Sequence, residues 1–211
     1  MDKKRLLLAT GNINKIEEIK DILKDLPLEI LSVKDLGLER IEVEEDGETL
    51  EENAIIKAKS LADKFEGMVI ADDSGLFVEY LNGEPGIYSA RYAGIDATDE
   101  KNNNKLLNKL KGIPLDKRKA YFKTVIALIM ENGEITTLTG ICEGYIGFEP
   151  KGNKGFGYDP LFIVTGYDKT FAELGEEVKN KISHRAKALE KLKIKMKKIL
   201  EDDGNENSSS K

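Results

Sequence analysis

Two adjacent carboxylates, Asp72 and Asp73, follow the apolar residues Met68 to Ala71 and precede Ser74 and Gly75. Crowding two negative charges is costly unless a cation or a proton holds them together, so the pair suits a divalent metal or a general base. Asp, Ser and Gly are equally the material of an ordinary turn, and the dipeptide by itself leaves both readings open. A second candidate is the stretch Thr10 to Lys15, TGNINK. Backbone N–H groups at a helix start, beside a lysine, suit a phosphate, and a capped turn with a solvated Lys15 is the alternative. A third is the glycine-rich stretch from Gly147 to Pro160, where Gly152, Gly155 and Gly157 surround Phe156, Tyr158 and Asp159. Glycine lets backbone approach a ligand and an aromatic offers a flat surface to a planar ring, unless the stretch is a flexible loop. His184, the chain's single histidine, stands with Arg185 at a helix start, where a surface or capping role is the plain alternative.

Periodicity supplies the elements that must position these groups. Leu6 to Ala9 is a continuous apolar run of strand length, and Ile16, Ile19, Ile22, Leu23 and Leu26 then recur at helical spacing until Pro27. Leu28 to Val33 reads as a second strand. The run Glu39 to Glu48 is dense in carboxylates and reads largely as a solvated loop. Thr49 and Glu52 make a capping box for a helix whose inward face is Leu50, Ala54, Ala58, Leu61 and Phe65, with Lys57 beside that stripe as an ordinary surface lysine. The pattern puts Asp72 and Asp73 at the end of a strand, with Leu76 to Leu81 as a separate strand and Asn82 to Gly86 as a turn. A short helix is expected over Asp99 to Leu110. Ala120 to Met130 and Ile135 to Tyr145 flank Asn132-Gly133, a β-hairpin signal. Leu161 to Val164 is another strand, Lys169 to Glu177 a connection, and the last helix opens near Ser183. Residues 1–200 then form a single domain, and 201–211, which lose periodicity, form a disordered tail.

The chain has 211 residues, 40% of them hydrophobic, enough for one domain with a sizeable core. Its net charge of -6 argues against a general affinity for nucleic-acid polymers or an anionic membrane, so a phosphate ligand must be met by local cations. One cysteine, Cys142, leaves no disulfide framework and no cysteine cluster for zinc. The apolar run behind MDKKR is too short for a signal-peptide core, and no stretch has the length of a membrane span. A cytoplasmic protein is expected.

Taken together, ATGNINK at Ala9 to Lys15, ADDSGL at Ala71 to Leu76, PGIYSARYAG at Pro85 to Gly94, GFGYDPLF at Gly155 to Phe162 and SHRAKAL at Ser183 to Leu189 resemble the Ham1/RdgB family. The likeness runs in order from about Leu6 to about Leu200. It implies an α/β fold, a mixed β-sheet with flanking helices and two lobes around a central cleft. It also implies a Mg²⁺-dependent hydrolase, usually a homodimer, that cleaves dITP, ITP and XTP to the nucleoside monophosphate and pyrophosphate.

By the same resemblance, Thr10, Gly11, Asn12 and Lys15 match a triphosphate-binding turn, and Asp73 the catalytic, metal-binding aspartate. Glu45 is implied as the second metal ligand because it lies eight residues before Asn53, which opens the pattern NAxxKA. Asp72 is either a further ligand or a supporting carboxylate. Lys57 matches a phosphate contact and Ser74 a substrate contact; Phe156, Gly157, Tyr158 and Asp159 match the wall of the base pocket, and Lys179, His184 and Arg185 the remaining substrate residues. Ala186 and Lys187 depart from the family pattern, in which glycine often follows SHR, and this bears on the geometry of the helix start. In this reading Lys15, Lys57, Lys179 and Arg185 offset phosphate charge, Asp73 orients or deprotonates a water attacking the α-phosphorus, and Arg185 and His184 donate to a 6-oxo purine stacked on Phe156. A phosphatase releasing orthophosphate and a nucleotide sensor without turnover are the rival readings.

Overall fold

Leu6, Leu7 and Leu8 are fully buried, as a strand covered on both faces requires. They form β1 (Lys4–Leu8) in the computed structural model of the chain, which describes residues 3–38 and 43–208. Glu39 to Glu42 of the acidic run lie outside the described residues. The chain continues through α1 (Ile13–Leu23), β2 (Leu28–Ser32), α2 (Leu50–Ala62), β3 (Met68–Val78), β4 (Pro85–Gly86), α3 (Asp99–Lys109), β5 (Lys119–Ile129) and β6 (Ile135–Ile146). It ends with β7 (Phe162–Val164), α4 (Phe171–Leu174), α5 (Glu176–Ile182) and α6 (His184–Ser208).

The seven strands form one mixed sheet in the order β2-β1-β3-β5-β6-β7, with β4 paired to β3. β1 runs parallel to β2 and β3, whereas β3–β5, β5–β6 and β6–β7 are antiparallel. Alternation along the strands divides the core. Leu6, Leu8, Ile70 and Ile126 face Ile19 and Leu23 of α1 and Leu189, Leu192 and Met196 of α6. Leu7, Val69, Ala71 and Val125 face Ala54, Ala58 and Leu61 of α2. Further along the same strands, Leu76, Val78, Phe122 and Ile146 meet Leu106, Leu110, Phe162 and Phe171 in a third cluster. The hairpin at Asn132-Gly133 forms as expected, pairing Ile129 with Ile135.

The largest difference from the sequence reading lies at the paired carboxylates. Asp72 and Asp73 do not end a strand, and Leu76 does not begin a separate one: β3 runs unbroken from Met68 to Val78. Asp72, Asp73, Ser74 and Gly75 pair in register with Ile126, Val125, Thr124 and Lys123 of β5. The long neighbouring strand satisfies the backbone of a segment whose composition suggests a turn, and that pairing overrides local propensity.

Thr49 caps α2 by accepting the Glu52 N–H at 3.1 Å, but Glu52 Oε2 accepts from Glu48 N–H at 2.7 Å, so only half of the expected capping box is made. The connection at Lys169 to Glu177 holds α4, which has a full capping box between Thr170 and Glu173, and the start of α5. The last helix continues to Ser208, past the final apolar contacts at Ile199 and Leu200, and residues 209–211 lie outside the described residues.

Candidate active site

Because successive strand residues point to opposite faces, Asp72 and Asp73 send their carboxylates to different sides of the sheet. Asp72 turns toward α1 and α6. Its Oδ2 meets Lys15 Nζ at 2.8 Å, accepts from Ser74 Oγ at 3.2 Å and lies 3.5 Å from Arg185 Nε. Ser74 Oγ is also 2.7 Å from Thr124 Oγ1 on β5. Burial opposes ionisation of Asp72, but Lys15, Arg185 and Lys57 outweigh it and hold its carboxyl well below the ordinary aspartate range.

Asp73 turns toward α2. Lys57 Nζ donates to its Oδ1 at 2.8 Å, and Asn53, one turn earlier, points its amide at Oδ2 from 3.5 Å. Lys57 also reaches Glu45 Oε2 at 3.3 Å. Burial pushes the Asp73 carboxyl up; Lys57 opposes this and the Glu45 charge adds to it, so the net direction is upward. Identical neighbours thus differ: one is a fixed anion and the other is poised to take a proton.

The remaining candidates complete the walls. Asn12 caps α1 by accepting the Lys15 N–H at 3.3 Å, and Thr10 Oγ1 accepts from Asn12 N–H at 3.2 Å. This orders the turn that carries Gly11 at the cavity edge. Opposite, Lys179 Nζ pairs with Asp159 Oδ2 at 2.7 Å and lies 4.1 Å from the Phe156 ring centre, so one face of that ring already carries a cation. Asp159 is pushed up by burial against the pull of Lys179. Its Oδ2 also accepts the Phe156 N–H at 3.0 Å. A Cβ on Gly155 would sit 2.2 Å from that oxygen, and φ is +77° there, so this glycine makes room for a buried carboxylate. Tyr158 is buried and donates to Ser89 O at 2.8 Å.

His184 is neither exposed nor a cap. It is 4% exposed and stacks on Phe122 with ring centres 4.6 Å apart. Burial, with the nearby Arg185 and Lys179 charges, drops its pKa well below 6.5, so it is a neutral imidazole. The helix start that carries it is regular despite the departure at position 186: Ala186 N–H donates to Ser183 Oγ at 3.1 Å.

Thr10, Gly11, Asn12, Lys15, Glu45 and Lys57 line one part of a cavity of about 550 Å³. Asp72, Asp73, Ser74 and the 156–159 wall line the next, and Lys179, His184 and Arg185 close it. The structure brings every sequence-derived candidate to this one place. Three further residues carry no sequence expectation of a role. Glu18 bonds Arg185 and lies 3.7 Å from Lys179. Asn53 reaches Asp73 from α2, and Asp99 accepts the Gly157 N–H at 2.7 Å. Glu18 was legible in principle, since it lies three residues after Lys15 on one helix face.

Glu45 and Asp73 already converge on one cation, the Lys57 ammonium. Two hard oxygen donors aimed at a common point suit Mg²⁺, which commonly takes one or two carboxylates and completes its shell with water and phosphate oxygens. Among the described residues no group of three or more His, Cys, Asp or Glu is arranged for a metal, so a bound ion would take water or phosphate oxygens for the rest of its shell.

The model of the Ham1 family matches residues 6–195. A dITP/XTP pyrophosphatase of Caldanaerobacter subterraneus subsp. tengcongensis is 58% identical over 200 residues, 94% of this chain and 99% of the relative. The Bacillus subtilis dITP/XTP pyrophosphatase is 49% identical over 189 residues, 90% of this chain and 95% of its own. Among solved structures, the Staphylococcus aureus Ham1 protein superposes with a TM-score of 0.83 at 43% identity, covering 92% of this chain and 98% of that one. A HAM1 protein from Coxiella burnetii gives 0.85 at 40% identity, over 92% and 99% of the two chains.

Proposed function

The chain belongs to the Ham1 family, and from that premise we propose that it hydrolyses dITP, ITP and XTP to the nucleoside monophosphate and pyrophosphate. The observation that carries this reading is the cavity itself, in which a carboxylate with a raised pKa lies between a lysine-bearing helix start and an aromatic wall backed by cations.

The residues divide by chemistry. The turn from Thr10 to Asn12 leads into the N-terminus of α1, and Lys15 and Lys57 add charge, which together suit a triphosphate. Glu45 and Asp73 would hold a Mg²⁺ that neutralises phosphate charge during the displacement. Asp73 takes a proton from the water that attacks the α-phosphorus; the P–O bond to the β-phosphate breaks and its electron pair leaves with pyrophosphate. Asp72, held ionised, keeps Lys15 and Arg185 in place rather than moving a proton. On the far wall a 6-oxo purine lies against Phe156 and Tyr158. Neutral His184 and the Arg185 guanidinium supply donors to its oxygen. A homodimer acting in the cytoplasm completes the reading, and light scattering of the purified chain tests its subunit number.

The test is product analysis from a nucleotide panel with and without Mg²⁺. Pyrophosphate is expected from dITP, ITP and XTP with Mg²⁺, with little turnover of ATP. Release of orthophosphate would contradict the reading in favour of a phosphatase. Tight ITP binding without hydrolysis would contradict it in favour of a sensor.

A further inference from the structure

Asn53 is fully buried on α2 and uses both ends of its amide. Its Oδ1 accepts the Gly47 N–H at 2.9 Å, and its Nδ2 points at Asp73 Oδ2 from 3.5 Å. Gly47 lies in the acidic loop, two residues after Glu45. One turn along α2, on the same helix face, Lys57 holds the other oxygen of Asp73 and reaches Glu45. The loop approaches closely: a Cβ on Gly47 would lie 2.6 Å from Asn53 Oδ1 and 2.8 Å from Glu52 Cβ. The acidic loop and β3 are separate in sequence, and Asn53 bonds to both.

We propose that Asn53 is a positioning residue that sets the spacing of Glu45 and Asp73 by tying the acidic loop and β3 to one amide. This rests on reading those two carboxylates as the divalent-cation ligands. Partners that orient metal ligands typically account for about 10- to 100-fold in metal affinity, which sets the expected size. Asn53→Ala removes both bonds. Gly47→Ala leaves the Asn53 side chain in place and pushes the loop away from it, at a position whose backbone is ordinary for alanine.

The experiment titrates Mn²⁺ alone into the protein by electron paramagnetic resonance, with melting temperature recorded for each variant. Asn53→Ala and Gly47→Ala should each weaken Mn²⁺ binding by about tenfold or more. The double variant should be no weaker than the worse single one, because both changes break the same link. Pyrophosphate release should recover in Gly47→Ala as Mg²⁺ is raised. Wild-type Mn²⁺ affinity in Gly47→Ala or Asn53→Ala, or losses that multiply in the double variant, would overturn the proposal. So would a fall in melting temperature at unchanged affinity. Glu45→Gln separates the two ideas. If it weakens Mn²⁺ binding while Asn53→Ala and Gly47→Ala do not, the positioning role fails alone. If wild type binds no Mn²⁺, or Glu45→Gln leaves binding unchanged, the metal assignment fails first and the positioning role falls with it.

Discussion

The two sides of β3 at Asp72 and Asp73 are built from the same residue type and differ in nearly everything else. On the α1 and α6 side, Asp72 is wrapped by Lys15, Arg185 and Ser74, and Glu18 and Asp159 complete a chain of ion pairs that runs on through Lys179. On the α2 side, Asp73 has one lysine, which it shares with Glu45, and a longer approach from Asn53. Two cations in close contact hold Asp72 ionised, and a shared one leaves Asp73 easier to protonate. The lesson is that the number of cations a buried carboxylate commands, rather than its depth, decides whether it serves as a fixed charge or a proton acceptor.

The comparison breaks most visibly if the fixed anion is removed. Asp72→Asn leaves Lys15 and Arg185 buried without their shared counter-charge, and unpairing a buried ion costs about 3 kcal/mol or more. Chemical denaturation should show that loss. An unchanged midpoint would mean that the network on this side does not organise the fold. Glu18→Gln is next. It weakens the hold on Arg185 and Lys179, a charge-assisted bond worth about 1.5 to 3 kcal/mol, and should raise KM for ITP about tenfold with kcat nearly constant. A fall in kcat at constant KM would place Glu18 on the chemistry instead.

Acid titration sharpens the contrast because the two carboxylates have opposite linkage signs. Asp72 is shifted down, so its contribution is present above the unfolded value of 3.8 and is lost as pH falls below it. Asp73 is shifted up, so its contribution is present below 3.8 and is lost as pH rises through its folded value. Stability measured against pH should fall less steeply on the acid side in Asp72→Asn, and decline less steeply above 3.8 in Asp73→Asn. The smallest effect belongs to the carrier of Lys57 and Asn53: Thr49→Ala removes the α2 cap and should cost about 1 kcal/mol by thermal unfolding.

Much of this was legible in the sequence, for reasons that are local. The phosphate turn follows from a strand, a Gly-Asn break and a helical stripe within a few residues, and the hairpin from Asn132-Gly133. The continuity of β3 is the opposite situation. Asp72 to Gly75 look like a turn until the partner strand, some fifty residues later, supplies ladder bonds. Glu18 and Arg185 are 167 residues apart, so no window of sequence contains their pairing. His184 misleads for a similar reason, since its burial depends on Phe122 from β5. Its neutrality could not be read from a helix start. Asn53 lay in plain view one turn before Lys57, yet its meaning depends on Gly47 and Asp73 meeting it in space.

The division of labour between the two aspartates is tested most directly by Asp73→Asn with Mg²⁺ and ITP saturating. Loss of a general base and a metal ligand together should lower pyrophosphate release by about 10³-fold or more. Near-normal pyrophosphate release from this variant would contradict the account.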